Sequence, residues 1–204
     1  MRRAVGTATK FREIEVRMVQ DYREYLDKIL VTEEQIKARV RKLGEQISLD
    51  YAGSEILIVC ILRGGVMFTV DLVREITVPL AMEFMAVSSY GSGARRSDGE
   101  VRITLDLNTS IAGKHVLIVE DIIDSGHTLA SVIELLQTRN PKSVYVCTLL
   151  DKFERREVEV PIRYCGFKIK NEFVFGYGLD MDEYYRNLPF VGTVDLERYE
   201  PPAG

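Results

Sequence analysis

Thiols and imidazoles are scarce in this chain. Its 204 residues hold three cysteines, Cys60, Cys147 and Cys165, and two histidines, with no CxxC or mixed Cys/His spacing of the kind that holds a metal. Cys60 and Cys147 lie inside apolar runs, so they read as small buried hydrophobes in a reducing compartment. No apolar stretch approaches the roughly 18 residues that span a membrane. The start Met1-Arg2-Arg3-Ala4 is not followed by the apolar core of a signal peptide. No membrane partner is expected, and a cytoplasmic location is the default. Basic excess is missing too. A net charge of −4 argues against a general nucleic-acid binder, although it leaves room for a local basic pocket. Repeats, low-complexity tracts and a GxxxxGK[ST] phosphate loop are all absent. What remains, 46% hydrophobic and 28% charged residues, is the make-up of an ordinary globular chain. Its length suits one domain with a small appendage, and a core that needs no disulfide or structural metal.

Residues 1–28 are polar, mixed in charge and weakly periodic, either a short extension or a helix packed on the body. Thr32-Glu33-Glu34-Gln35 fits a capping box, and Ile36, Val40, Leu43 and Ile47 follow at helical spacing up to Tyr51-Ala52-Gly53. Ile56–Leu62 is a continuous, β-branched apolar run, the pattern of a parallel strand covered on both faces. A helix is expected over 66–76 and a strand over 80–88. Residues 89–100 carry three glycines and read as a long loop, and such loops in compact domains are commonly functional. Val101, Ile103, Leu105 and Leu107 alternate as on a half-exposed strand. Further strands are expected over 116–119 and 143–150, with a helix over 129–137 between them. Short strand-like segments follow at 162–167, 173–175 and 190–194. Strands alternating with helices imply a mostly parallel α/β sheet, with the ligand site beyond the C-terminal strand ends.

One run sits at such an end: Val119-Glu120-Asp121-Ile122-Ile123-Asp124-Ser125-Gly126-His127-Thr128. Ser125 and Thr128 offer hydroxyls, Gly126 permits close backbone approach, and the following helix offers free N–H groups and the positive end of its dipole. Together they form an anion cradle sized for a phosphate monoester. Glu120 and Asp121 would repel that phosphate. They make sense facing a sugar, accepting from ribose hydroxyls or organising hydrated magnesium. The residues alone leave a blander reading equally open, an acidic loop after a strand with Ser125 as a helix cap.

The run closely resembles the phosphoribosyl-pyrophosphate motif of the type I phosphoribosyltransferases, and most of all the hypoxanthine (hypoxanthine-guanine) branch. The likeness extends over roughly residues 28–200 and implies a single phosphoribosyltransferase domain over 29–204 after an N-terminal extension at 1–28. It implies an α/β fold with a central, mostly parallel twisted sheet flanked by helices, and a small hood built from the N- and C-terminal segments. By that resemblance Glu120 and Asp121 contact ribose hydroxyls, the segment from Ile122 and Ile123 through Asp124, Ser125, Gly126, His127 and Thr128 holds the nucleotide with its 5′-phosphate, and Asp124 accepts the proton from N7 of the purine. His127 departs from a lysine seen in some members. Histidine changes charge near neutrality, so its contact is expected to be pH-sensitive.

The rest of the constellation resembles the family in the same way. Leu62-Arg63-Gly64-Gly65 resembles the pyrophosphate loop, where a strained or cis peptide is common, so Arg63 and Gly64 are expected on pyrophosphate. Ser88-Ser89-Tyr90-Gly91 resembles the start of a catalytic flap that excludes water, with Ser89 and Tyr90 reaching the pyrophosphate. Lys152 matches the lysine that donates to the purine O6, a cation that suits an oxo group rather than adenine's amino group. Within Phe173–Asp180, Phe173 stacks on the base, Val174 offers backbone groups to its edge, and Asp180 borders the purine as a magnesium ligand beside Glu120 and Asp121. Glu172 stands where some relatives have lysine. Arg186 binds pyrophosphate, which its planar fork suits.

The implied reaction joins a 6-oxopurine, hypoxanthine and/or guanine, to phosphoribosyl pyrophosphate with Mg2+, in purine salvage, by a homodimer or homotetramer that binds no nucleic acid. Two alternatives stand beside it. One is transfer to another base such as xanthine, against which Lys152 and the Phe173 motif argue. The other is a non-catalytic sensor of phosphoribosyl pyrophosphate, for which residues 1–28 are too short to form a winged helix.

Overall fold

A computed structural model describes residues 20–89 and 101–201. Its main layer is a six-stranded sheet in the order β4-β3-β2-β5-β6-β7. The strands are β2 (Ile56–Leu62), β3 (Leu80–Ser89), β4 (Val101–Leu105), β5 (His115–Ile123), β6 (Ser143–Asp151) and β7 (Ile162–Lys168). All neighbours run parallel except β3 and β4. Helix α2 (Glu33–Asp50) opens with the expected capping box: Thr32 Oγ1 accepts from the Gln35 N–H, and Gln35 Oε1 accepts from the Thr32 N–H at 2.9 Å. Its buried stripe is Ile36, Val40, Leu43 and Ile47, as the spacing requires.

The continuous apolar strands are explained by covers on both faces. Ile56 and Ile58 of β2 pack with Leu117, Val119, α2 and α3 (Val66–Glu75), whereas Leu57, Val59 and Ile61 pack with Val116, Ile118 and α4 (His127–Gln137). Burying each such side chain contributes about 1.5–3 kcal/mol. Gly44 is where α2 meets α3, for a Cβ there would lie 2.4 Å from Glu75 Cβ.

A second, three-stranded sheet stands over the C-terminal strand ends, in the order β1-β9-β8. It joins β1 (Leu26–Val31), β8 (Val174–Phe175) and β9 (Val191–Val194), so segments before and after the main sheet build the expected hood. Before β1 comes a single turn of helix, α1 (Tyr22–Tyr25). Tyr25, Phe175 and Met181 form the hood's own small core.

Three local expectations are corrected. The strand expected over 116–119 runs on to Ile123, because β6 continues the ladder: Glu120 pairs with Thr148 and Ile122 with Leu150. The acidic pair therefore belongs to the strand rather than to a following loop. Helix α4 starts at His127 rather than 129, directly after Gly126. Strand β4 stops at Leu105, short of Leu107.

Candidate active site

The C-terminal ends of β2 and β5 diverge around a cleft of about 330 Å³, lined by Leu62, Gly64, Glu120, Asp121, Ile122, Ile123, Asp124, Ser125, Gly126 and Thr128, with Ile61, Val87 and Leu129 behind them. The whole run from Glu120 to Gly126 thus faces one space. Gly126 takes a left-handed conformation, φ 93°, in which a side chain would be strained and would also crowd the Val158 carbonyl at 3.0 Å. It caps α4 without any side-chain hydrogen bond, so the first N–H groups of that helix remain for a ligand.

The strand end is held from the side by the segment after β6. The Lys152 N–H donates to the Ile123 carbonyl at 3.0 Å, and the Glu157 and Val158 N–H groups both donate to the Ser125 carbonyl. Arg156 forms a mostly buried pair with Asp151 beneath Gly126. Lys152 is itself buried, with Nζ 3.7 Å from Asp124 Oδ2. His127 does not line the cleft; its Nε2 lies 2.8 Å from Glu157 Oε2.

Glu120 and Asp121 lie side by side at the back of the cleft. Burial pushes both carboxyls above the ordinary carboxylate range, Glu120 the more strongly because the neighbouring Asp121 charge adds to it. Asp121 Oδ1 accepts from the Ile122 N–H at 2.8 Å. Its other oxygen sits where a Cβ on Gly64 would be, 1.6 Å from that position, and a Cβ on Gly178 would fall 2.1 Å from the Gly64 carbonyl. Acidic pair, Gly64 loop and Gly178 motif are therefore stacked in direct contact. The Leu62–Arg63 peptide bond is cis, as expected for this loop.

Beyond that stack lies a charged cluster. Arg186 pairs with Asp180 at 2.8 Å and donates to the Gly178 carbonyl, and Arg63 pairs with Glu183 at 2.5 Å. Phe173 is half exposed just before β8, whereas Val174 is buried. Glu172 is held by Lys28 of β1 at 2.6 Å. Tyr90 and the Ser89 side chain lie outside the described residues, as does the loop expected over 89–100 apart from the Ser89 backbone, which ends β3. Among the described residues no three carboxylate, histidine or cysteine side chains converge as a ready-made metal cage. No helix of the described residues is long and apolar enough to cross a membrane.

Sequence reasoning missed Arg155, whose Nε lies 2.9 Å from Asp124 Oδ1, and Glu183, which joins Arg63 to the Asp180 turn. Nothing in the local pattern marks either one, since both stand among charged neighbours that read as a solvated surface.

Residues 28–182 match the phosphoribosyl transferase domain family. The chain is 53% identical over 170 residues to the hypoxanthine phosphoribosyltransferase of Salmonella typhimurium, a match covering 82% of this chain and 95% of that one. It is 51% identical over 178 residues to the hypoxanthine-guanine phosphoribosyltransferase of Mycobacterium tuberculosis, covering 84% and 88%. Among solved structures it is similar to a hypoxanthine phosphoribosyltransferase from Staphylococcus aureus, with a TM-score of 0.84 at 47% identity, over 88% of this chain and 97% of that one.

Proposed function

The chain belongs to the phosphoribosyltransferase family, and from that premise we propose that it transfers the 5-phosphoribosyl group of phosphoribosyl pyrophosphate to hypoxanthine and/or guanine. The products are IMP or GMP and pyrophosphate, a purine-salvage reaction. The observation that carries the base assignment is the pairing of Lys152 with Asp124 at 3.7 Å. O6 and N7 are neighbouring positions on a 6-oxopurine. A buried ammonium beside a carboxylate offers a donor for the first and a proton acceptor for the second. Adenine's amino group would meet the wrong partner.

The roles then follow the cleft. Ser125, Gly126 and Thr128 cradle the 5′-phosphate at the start of α4, with His127 contributing through its backbone N–H, since its ring is turned to Glu157. Glu120 and Asp121 hold the ribose hydroxyls, so that the base meets an oriented C1. The base nitrogen N9 bonds to C1, the bond from C1 to pyrophosphate breaks, and Asp124 takes the N7 proton. Phe173 stacks on the ring and Val174 meets its edge through the backbone. Arg63, Gly64 and Arg186, with Ser89 and Tyr90 of the flap, receive pyrophosphate. Two desolvated carboxyls in contact are hard-oxygen donors whose charge a divalent cation would relieve, so the site fits Mg2+. Glu120 and Asp121 would face the ion in the cleft, and Asp180, paired here with Arg186, would be recruited to it only with substrate bound; the ion would offset charge on the leaving group.

A cytoplasmic setting belongs to the same reading, since three free thiols suit a reducing compartment. So does a homodimer or homotetramer, supported by the partly exposed Met67 and Val70 on α3. The deciding experiment supplies purified chain with Mg2+ and phosphoribosyl pyrophosphate, and offers hypoxanthine, guanine, xanthine and adenine in turn. Turnover of hypoxanthine or guanine is expected, with none of adenine. A folded sample that turns over neither overturns the reading, and turnover of xanthine alone moves it to another base. Sedimentation of the same sample reports its oligomeric state.

A further inference from the structure

We propose that Arg155 is a positioning residue that fixes the orientation of Asp124, the proton acceptor of the reaction. The inference rests on the assignment of Asp124 made above. The segment carrying Arg155 is a short 3-10 turn, Phe153–Arg155, that follows β6. On one side its Lys152 N–H donates to the Ile123 carbonyl, and on the other Glu157 and Val158 donate to the Ser125 carbonyl. Asp124 therefore lies between two anchored carbonyls, and Arg155 lies between the groups that anchor them. The two residues face each other because both backbones are pinned.

The side-chain contact has an unusual form. Arg155 Nε lies 2.9 Å from Asp124 Oδ1, yet that oxygen is sealed from solvent and accepts no hydrogen bond. The guanidinium is thus close but out of line, and it holds the oxygen by charge. Its Nη1 reaches 3.5 Å to Asn171 Oδ1, in the loop just before Phe173. One cation consequently joins the proton acceptor to the loop that presents the stacking aromatic. With Oδ1 held by Arg155, Oδ2 is left beside Lys152, the neighbour expected to bind O6. Arg155 therefore selects which carboxylate oxygen meets N7 when O6 is on Lys152.

The Arg155 and Asp124 side chains are 47% and 44% exposed, so the ion pair itself contributes little to stability. Its effect should appear in rate, because small misplacements of a reacting group can cost up to about 100-fold. The test is a double-mutant cycle on the full chain, with kcat and KM measured for Arg155→Ala, Arg155→Lys, Asp124→Asn and the double variant Arg155→Ala/Asp124→Asn. Arg155→Ala is expected to lower kcat roughly 10-fold to 100-fold, with KM for phosphoribosyl pyrophosphate and the thermal midpoint nearly unchanged. Arg155→Lys, which keeps the charge, should recover part of the loss. In the Asp124→Asn background, removing Arg155 should change kcat by less than about 2-fold, the signature of a residue acting through Asp124. Full additivity of the two losses, or an unchanged kcat in Arg155→Ala, overturns the proposal while leaving Asp124 in place. An Asp124→Asn variant with undiminished kcat overturns the Asp124 assignment, and the role of Arg155 with it.

Discussion

Glu120 and Asp121 illustrate at the scale of single residues how a ligand site is set against stability. Loss of solvation raises both carboxyls above the ordinary carboxylate range in the folded chain, Asp121 as a buried group and Glu120 as a half-buried one beside it. A carboxyl whose folded pKa is raised weakens the fold as pH climbs through that value, since ionisation is easier in the unfolded chain. Glu120→Gln removes this cost. Its thermal midpoint at neutral pH should therefore rise, by about 2–4 °C for each kcal/mol regained, while turnover falls. Calorimetry with and without Mg2+ checks it: the ion should stabilise the native chain more than the variant. A variant that is less stable than the native chain would refute the account. The phosphate loop was legible in the sequence because its chemistry is contiguous: acidic pair, hydroxyls, glycine, helix start. Arg155 was not, because its meaning comes from a partner on another strand end. Glu172 is a similar case, since only the hood geometry reveals Lys28 as its counter-charge.

At the scale of elements, the segments at Gln20 and at 198–200 are tied together over the charged turn. Gln20 donates to the Arg198 carbonyl at 3.0 Å and accepts from the Glu200 N–H at 2.9 Å. Tyr199 hydroxyl donates to the Asp182 carboxylate, and Tyr185 hydroxyl to the Gln20 carbonyl. Between those anchors Asp182, Glu183 and Tyr185 have φ of 48°, 73° and 64°, conformations that cost about 1–3 kcal/mol each and persist only when the surroundings hold them. This turn delivers Glu183 to Arg63 and Arg186. Tyr199→Phe keeps the ring against Tyr25, 5.1 Å away, but loses the hydrogen bond. It should raise KM for phosphoribosyl pyrophosphate about 2-fold to 10-fold, the equivalent of roughly 0.5–1.5 kcal/mol, with kcat retained. Steady-state kinetics at varied phosphoribosyl pyrophosphate tests this, and an unchanged KM would separate the tail from the site. The long elements α2, β2 and β6 announce themselves by periodicity or unbroken apolar runs. The hood is only partly legible: β8 and β9 fall on the short segments expected at 173–175 and 190–194, whereas β1 is not foreseen, because its partner β9 lies far along the sequence. The charged end of β5 was hidden for a related reason: its strand character comes from the β6 ladder and not from its own residues.

Across the whole molecule, the cleft and the titratable His115 lie at opposite ends of β5. His115 begins β5, far along the strand from the cleft, with its Nδ1 2.8 Å from Ser143 Oγ and its ring against Tyr51. Burial first, then Lys142 and Arg163, hold its pKa below the ordinary value. The folded chain thus favours neutral His115, and the unfolded chain takes up the proton more readily. Stability is fully present above the unfolded value of about 6.5 and is lost as pH falls through the folded one. Denaturation midpoints should decline below about pH 6.5, more gently in His115→Gln, with kcat at pH 7.5 the same in both. Equal acid slopes in the two proteins would place the sensitivity elsewhere.

The stack of Asp121, Gly64 and Gly178 has a consequence for how such a chain can vary. A methyl group at position 64 would collide with the Asp121 carboxylate, and one at 178 with the Gly64 carbonyl. The three lie far apart in the sequence yet are in direct contact. A side chain at 64 would require the Asp121 carboxylate to swing out of the cleft, and one at 178 would require the Gly64 backbone itself to move, so a change at either glycine displaces the acidic group from across the fold.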